Sequence, residues 1–443
     1  MKEVNKPTRT AGEAGWRLSR YNLAAAVPDT DQTVIVNLMR GNCAVYSLPE
    51  CALLGCLREL DERHPLLERF ARRGVIVNYD ELAVLSSLGR LSAAARQTVH
   101  LTICPTMGCN FDCPYCFENH RPGKMPAEIQ EDVIRLAGRM LDASGAGAIY
   151  VTWFGGEPLL APDVIGSMSE KLIRLAAEKK AEYSAGMITN GYLLDRTAVE
   201  TLERAKVASL QITLDGIGEA HDATRPLAGG GPTFDRIVSN LRREKLPFAV
   251  TVRHNVHEGN LDTVLPLAEF IEGLAEESGN SIHYSVAPVA ASQAAKDRGS
   301  RVEALCGAGE NAVGIARDVL SFRGGGGNYC GATNIFSVGT DEQGRLYKCW
   351  EDMDKPERSF GSVRTWDPAD PLFTAEKPDL LTGYLNAACP PDDPECRECV
   401  WLPVCRGGCP NRRMHAGRAC LPYKDDPGKY VLALYERMRT EKR

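Results

Sequence analysis

The stretch Cys109-Asn110-Phe111-Asp112-Cys113-Pro114-Tyr115-Cys116 sets three thiols at C-x3-C-x2-C spacing. It lies in the loop after an apolar strand expected over Val99–Cys104. Three thiolates this close can hold three corners of a cubane iron–sulfur cluster. No fourth cysteine follows nearby, so one iron could stay open to another ligand. The same residues allow two plainer readings. A structural zinc takes four ligands in a closed tetrahedron, which His120 could complete, or the thiols are simply packed. Cys104, on the strand itself, reads as a core cysteine.

A chain of 443 residues is long enough for two or three domains with real cores. With 44% apolar and 25% charged residues it has an ordinary globular composition. A net charge of −6 gives no support to a nucleic-acid surface. Residues 1–16 lack the apolar core of a signal peptide, and no run approaches the ~20 apolar residues that cross a bilayer. The expected setting is therefore cytoplasmic, with no membrane and no nucleic acid as partner. Sixteen cysteines without a signal, clustered at ligand spacings, point to metal rather than disulfides.

Between Val99 and Pro288 apolar runs alternate with helical ones. Strands are expected at 99–104, 148–154, 185–189, 209–214, 248–256 and 282–287. Helices are expected at 127–142, 163–180, 195–204, 234–243 and 261–274. Repeated strand–helix units imply a parallel sheet with right-handed crossovers, and sites on such sheets lie at the carboxyl ends of the strands. The cysteine loop follows the first strand, and Gly155-Gly156-Glu157-Pro158 follows the second. Two glycines permit close backbone approach, and a carboxylate beside them can accept from an ammonium group. Thr189-Asn190-Gly191 ends the third strand, Asp215 tips the fourth, and Arg253 and Asn255 share one face of the fifth. Arg225-Pro226, in the loop after the fourth, could meet substrate or solvent.

The cysteine loop, with Tyr115 just before its last cysteine, together with the G-G-E-P turn, resembles the radical S-adenosylmethionine (SAM) enzymes. The resemblance implies an α/β fold, a partial (β/α)6 radical SAM barrel over 98–300. It also implies a [4Fe-4S] cluster on Cys109, Cys113 and Cys116 whose open iron takes the SAM amino and carboxylate groups; reduction then cleaves SAM to a 5′-deoxyadenosyl radical. Tyr115, Gly155, Gly156, Glu157, Asn190, Asp215, Arg253 and Asn255 become the expected SAM contacts.

Residues 1–97 form a separate small unit in this reading. Short apolar runs at 23–27, 33–37 and 43–47 are broken by Pro28-Asp29 and Gly41-Asn42, which are hairpin signals. Helical spacing follows at 49–60 and 65–73. The order resembles the winged-helix-like peptide-recognition element of ribosomal-peptide maturases, which pairs a leader peptide along a sheet edge. A scaffold without a ligand is the alternative. Cys43, Cys51 and Cys56 read as core residues.

Residues 301–443 begin with a polar connector containing Cys306 and a hinge-like Gly324–Gly327. Then come Cys330-x13-Gly344-x4-Cys349 and Cys396-x2-Cys399-x5-Cys405-x3-Cys409, followed by Cys420. This matches the seven-cysteine SPASM pattern at every spacing. Seven thiolates are too many for one cubane and suit two; zinc ribbons are the structural alternative. By resemblance, Cys396, Cys399, Cys405 and Cys420 fill an outer cluster, while Cys330, Cys349 and Cys409 hold three irons of an inner one. The total is three [4Fe-4S] clusters with SAM. Cys306 or Cys389 could be the inner fourth ligand, or that iron is open to a substrate thiolate.

Radical SAM/SPASM enzymes modify ribosomal peptides or proteins by thioether or carbon–carbon links, epimerisation, or formylglycine formation in sulfatases. Sulfatase maturases usually start close to the cluster loop and carry an acidic base directly after the G-x4-C cysteine. Here about a hundred residues precede the loop, and Trp350 holds that position, with Glu351 and Asp352 beyond it as candidate bases. The expectation is therefore a maturase forming thioethers on a precursor peptide, fed by a flavodoxin or ferredoxin-type electron donor. A metal-stabilised, non-catalytic peptide-binding scaffold is the rival from another class; it needs neither a vacant iron nor Glu157.

Overall fold

The computed structural model describes residues 15–243, 245–256, 259–288, 330–387, 392–418, 420–421 and 424–440. Cys306, Cys389 and the 324–327 glycine run lie outside them. The chain partitions into two compact units, one of residues 1–92, 303–329 and 387–443, the other of 93–302 and 330–386.

In the first unit a two-stranded ribbon pairs β1 (Arg17–Leu18) with β5 (Ile76–Val77). Beside it β2 (Asn22–Ala26), β3 (Gln32–Asn37) and β4 (Asn42–Ser47) form an antiparallel sheet in that order. Helices α1 (Leu48–Gly55), α2 (Pro65–Arg73) and α3 (Glu81–Ala93) complete the amino-terminal part. The backbone N–H of Ser47 donates to Glu50 at 2.8 Å and starts α1. α2 stops at Gly74, whose φ of +77° and crowding by Asn37 and Arg40 leave no room for a Cβ.

Alternation along β3 feeds two cores. Ile35 packs with Tyr46, Leu67 and Phe70. Val34 and Val36 face the opposite way and pack with Trp401, Leu402, Val431 and Leu434. The sheet is therefore covered on its second face by the carboxyl-terminal cysteine segment and the helix Pro427–Thr440. Cys43 is buried as expected, but Cys56, one residue past α1, is exposed. A helix end facing water explains the difference.

The second unit is a nine-stranded sheet with six parallel strands in sequence order: β6 (Thr98–Ile103), β7 (Ala148–Trp153), β8 (Glu182–Thr189), β9 (Val207–Thr213), β10 (Ala249–Val256) and β11 (Ile282–Pro288). Crossovers run through α4 (Ala127–Ser144), α5 (Pro162–Glu178), α6 (Arg196–Arg204), the short α7 (Glu219–Thr224) with α8 (Phe234–Leu241), and α9 (Val264–Ser278). The (β/α)6 arrangement expected of the sequence is present.

One face of each strand is apolar: Val99, Leu101 and Ile103, then Ile149, Val151 and Trp153, then Leu210 and Ile212, all join the core under the helices. The alternate residues, among them Thr102, Thr152, Gln211, Arg253 and Asn255, point to the other side. That face is polar and leads to the strand ends. No described helix is long and apolar enough to cross a membrane.

Residues 330–386 extend this sheet. β12 (Ser337–Thr340) pairs parallel to β6, and β13 (Arg345–Tyr347) and β14 (Gly361–Ser362) follow antiparallel. The expected boundaries followed the cysteine motifs, whereas packing divides the 301–443 segment between the two units.

Trp401 is fully buried and meets Tyr430 edge-on at 4.9 Å. Trp401→Ala is expected to cost about 3–5 kcal/mol in chemical denaturation and to make the cysteine segment protease-sensitive.

Candidate active site

The cysteine loop leaves the carboxyl end of β6 and is held from two sides. From the β7 side, the N–H groups of Gly156 and Glu157 donate to the carbonyls of Thr106 (3.3 Å) and Gly108 (2.8 Å). A Cβ on Gly156 would lie 2.4 Å from the Gly108 carbonyl oxygen and 2.6 Å from that of Met107. Gly155 has φ +115° and backs onto the Thr106 carbonyl. The glycine pair is thus required by the loop's own backbone. From the β9 side, Asp112 N–H donates to Pro226 O (3.0 Å) and Ala228 N–H to Asn110 O (2.8 Å). Phe111 bridges Leu227.

Cys109, Cys113 and Cys116 all project from this one loop. Burial pushes the Cys109 thiol up to about 12, the Cys116 thiol up to about 11, and Cys113 upward as well. Without a cation the three stay protonated, whereas cluster ligation needs thiolates. An all-sulfur donor set on one loop, half-buried at Cys109 and Cys113 and open to solvent at Cys116, fits an iron–sulfur cluster. His120 Nε2 lies 3.6 Å from Cys116 Sγ. With Glu118 these form a trio whose ligand atoms fall within 4.8 Å of one another. A zinc there would use one of the three cysteines and leave Cys109 and Cys113 unexplained.

Glu157 is wholly buried, and its oxygens accept from Leu159 N (2.9 Å), Thr189 Oγ1 (2.7 Å) and Asn190 N (2.7 Å). It ties the end of β7 to the end of β8, and burial raises its pKa. Asn190 donates through Nδ2 to Asn110 Oδ1 at 2.8 Å, linking β8 to the cysteine loop. These contacts place both residues against the loop through protein partners.

The remaining expected SAM contacts converge. The Tyr115 hydroxyl donates to Asp215 Oδ2 and accepts from Arg225 Nη1 (2.5 Å) and Asn255 Nδ2 (3.4 Å). Asp215 Oδ1 accepts from Asn255 N at 3.0 Å, and Arg253 Nε donates to Asn255 Oδ1 at 2.8 Å. Tyr115, Asp215, Arg253 and Asn255 therefore make one polar cradle at the ends of β9 and β10. The backbone N–H of Asp215 is fixed by His221 Nδ1 (3.1 Å), whose burial holds its pKa down at about 3 and so keeps it neutral.

Of the two alternatives left for Arg225, the solvent one does not hold: the side chain is buried against the loop. Glu118, half-buried with its Oε1 shielded from solvent, was not singled out in the sequence, and desolvation with the nearby Asp354 pushes its carboxyl up to about 8. Phe117-Glu118-Asn119-His120 reads as an ordinary polar loop, so no signal was available.

Of the candidate bases, Asp352 is fully buried, accepting from Arg358 Nη1 (2.8 Å) and the Tyr384 hydroxyl. It is occupied structurally, and Glu351 is the half-exposed one. Trp350 is exposed, with Nε1 on Thr102 Oγ1 (2.9 Å) and its ring against Phe154.

In the second unit, the Cys349 thiol is raised by burial and then by the charge of Asp352, with Glu351 and Cys330 adding less. In the first unit, Cys396, Cys399, Cys405 and Cys420 line a single cavity, with Arg413 and Arg418 at its wall. Cys409 caps the helix Pro410–His415 in the same unit. Arg413 donates to Cys396 Sγ (3.4 Å) and, with Arg418, to Asp393 Oδ2 (2.9 and 2.8 Å).

Residues 103–271 match the family model for the radical SAM superfamily. The chain is 23% identical over 353 residues to the cysteine-type anaerobic sulfatase-maturating enzyme of Clostridium perfringens, spanning 72% of this chain and 88% of the relative. A PqqA peptide cyclase from Gluconobacter oxydans is 29% identical over 115 residues, 26% of this chain and 30% of that protein. A GTP 3′,8-cyclase from Microcystis aeruginosa is 30% identical over 143 residues, 31% of this chain and 37% of that protein. The chain thus spans most of the first relative and only about a third of the other two. Among solved structures, anSMEcpe with bound AdoMet and Cp18Cys peptide shares the fold, with a TM-score of 0.59 at 17% identity over 78% of this chain and 98% of that one.

Gly156→Ala is expected to displace the loop backbone, cost about 1–3 kcal/mol, and lower iron content by one cluster in reconstituted protein. Asp393 is held down at about 2, chiefly by the Arg418 hydrogen bond. Its contribution is present above the ordinary carboxylate range and is lost as pH falls through about 2. Asp393→Asn should flatten stability between about pH 4 and pH 2, as read by denaturation midpoints.

Proposed function

Because the chain is a radical SAM enzyme, we propose that it modifies a ribosomally made precursor peptide by joining a cysteine sulfur to carbon in a thioether. One observation carries this choice: Trp350 stands where an acidic base would follow Cys349. The sequence also has no cysteine between Gly307 and Tyr329, just before the first cysteine of the SPASM pattern, which suits a substrate thiolate as a further ligand. The peptide substrate is supported by relatives whose names record peptide and sulfatase chemistry.

Cys109, Cys113 and Cys116 would hold the cluster that binds SAM, and the polar cradle of Tyr115, Asp215, Arg253 and Asn255 at the strand ends would receive SAM. When bound, SAM and its cluster supply hydrogen abstraction from an unactivated carbon. The chain's residues orient the cofactor: Gly155, Gly156 and Glu157 lock the loop, and Asn190 ties it to β8. Cys396, Cys399, Cys405 and Cys420, which share one cavity, would hold an outer auxiliary cluster, and a bound cluster there would supply an electron-accepting centre. A flavodoxin or ferredoxin-type protein serves as donor. The amino-terminal sheet receives the leader peptide. Glu351, half-exposed, is the remaining acid beside Cys349.

A second reading, formylglycine formation, is favoured by the length of the match to the Clostridium perfringens enzyme. Anaerobic coexpression with a cysteine-containing precursor encoded beside this chain separates the two by mass spectrometry. The thioether reading expects loss of two hydrogens and a cysteine that resists alkylation. Loss of the cysteine sulfur would favour formylglycine instead. An unchanged mass with solvent deuterium incorporated would overturn both.

A further inference from the structure

Arg225 is 9% exposed, and its guanidinium makes a single hydrogen bond, to the Tyr115 hydroxyl. Its Nε has no partner, and among the described residues no carboxylate pairs with it directly. The guanidinium lies 5.7 Å from the ring centre of Phe111 and 6.0 Å from that of Tyr115. Both rings belong to the cysteine loop. Its charge also acts on Cys113, Cys116 and Glu157. Burial opposes this charge, yet Tyr115, Cys113 and Asp215 hold its pKa above the ordinary arginine range. A buried cation without an ion pair is costly unless an anion completes the site.

Three thiolates arriving together on this loop are that anion. We propose that Arg225 is a positioning and charge-balancing residue for the Cys109/Cys113/Cys116 cluster, and that its fixed positive charge makes reduction of that cluster easier. The step concerned is a one-electron reduction: the external donor loses one electron, the cluster gains it, no proton is taken up and no bond is broken. The loop site therefore becomes more negative by one charge in a poorly solvated place. A buried guanidinium stabilises the reduced state more than the oxidised one. The loop after β9 delivers it reproducibly, because the same loop is stitched to the cysteine loop through Asp112 and Ala228.

The inference rests on the radical SAM reading and is independent of which bond the enzyme makes. The test is an EPR-monitored redox titration of anaerobically reconstituted holoenzyme. It follows the reduced-cluster signal whose shape changes when SAM is added. Arg225→Gln is expected to lower the ratio of reduced to oxidised cluster at least tenfold at a fixed potential, a shift of about 59 mV for one electron. Arg225→Lys, which keeps the charge, should stay within threefold.

An Arg225→Gln variant within threefold of wild type would overturn the proposal, as would a Lys variant that falls as far as the Gln variant. Should the Gln variant fail to hold iron, the Lys variant decides. Loading and potential retained by lysine support the charge role, and their loss overturns it. A wild type without any SAM-sensitive signal would remove the cluster reading and this proposal together. An ordinary wild-type signal with an indifferent Gln variant removes this proposal alone.

Discussion

Three thiols at the mouth of a parallel sheet must ionise together to bind metal, and the desolvation of their loop works against that. The second unit is arranged around this conflict. The loop carrying Cys109, Cys113 and Cys116 is pinned by Gly156 and Glu157 on one side and by residues 226–228 on the other. Pinning removes conformational freedom in advance, so ligands need not be ordered when the cluster forms. Arg225 and Asp215 both hydrogen-bond to the Tyr115 hydroxyl on this loop.

The sheet explains why these groups meet. Residues at consecutive strand ends lie side by side, since parallel strands linked by right-handed crossovers all end on one edge. Glu157 joins the second strand end to the third, and Asp215 joins the fourth to the fifth. A polar chain thus runs across the strand ends. The apolar face beneath, filled by residues such as Trp153, Leu210 and Val252, keeps that edge rigid.

Much of this was legible in the chain. Strand and helix periodicity gave all six parallel strands within a few residues, and the cysteine spacings marked out the loop after β6 and the carboxyl-terminal cysteine segment. Other features were hidden for physical reasons. β12, β13 and β14 are four, three and two residues long, too short for alternation to show. The pairing of β12 with β6 joins residues more than two hundred apart, which no local pattern reports. Gly155 and Gly156 read as space for a ligand, but their nearest neighbours are the loop's own carbonyls. Arg225 was indistinguishable from a surface arginine, because only the fold brings Phe111 and Tyr115 beneath it. Asp352 read as a candidate base until its place between Arg358 and Tyr384 was visible.

The first unit follows the same logic with different materials. Its three-stranded sheet uses one face for α1 and α2 and the other for the carboxyl-terminal cysteine segment. Four cysteines share one cavity there, and Asp393 orders two arginines at its wall. The central claim, that the loop thiols hold a cluster able to cleave SAM, is tested most directly by product analysis. Dithionite-reduced, reconstituted protein is incubated with SAM in the absence of oxygen. The account expects 5′-deoxyadenosine from wild type and none from Cys113→Ala. Intact clusters with no deoxyadenosine from wild type would contradict it.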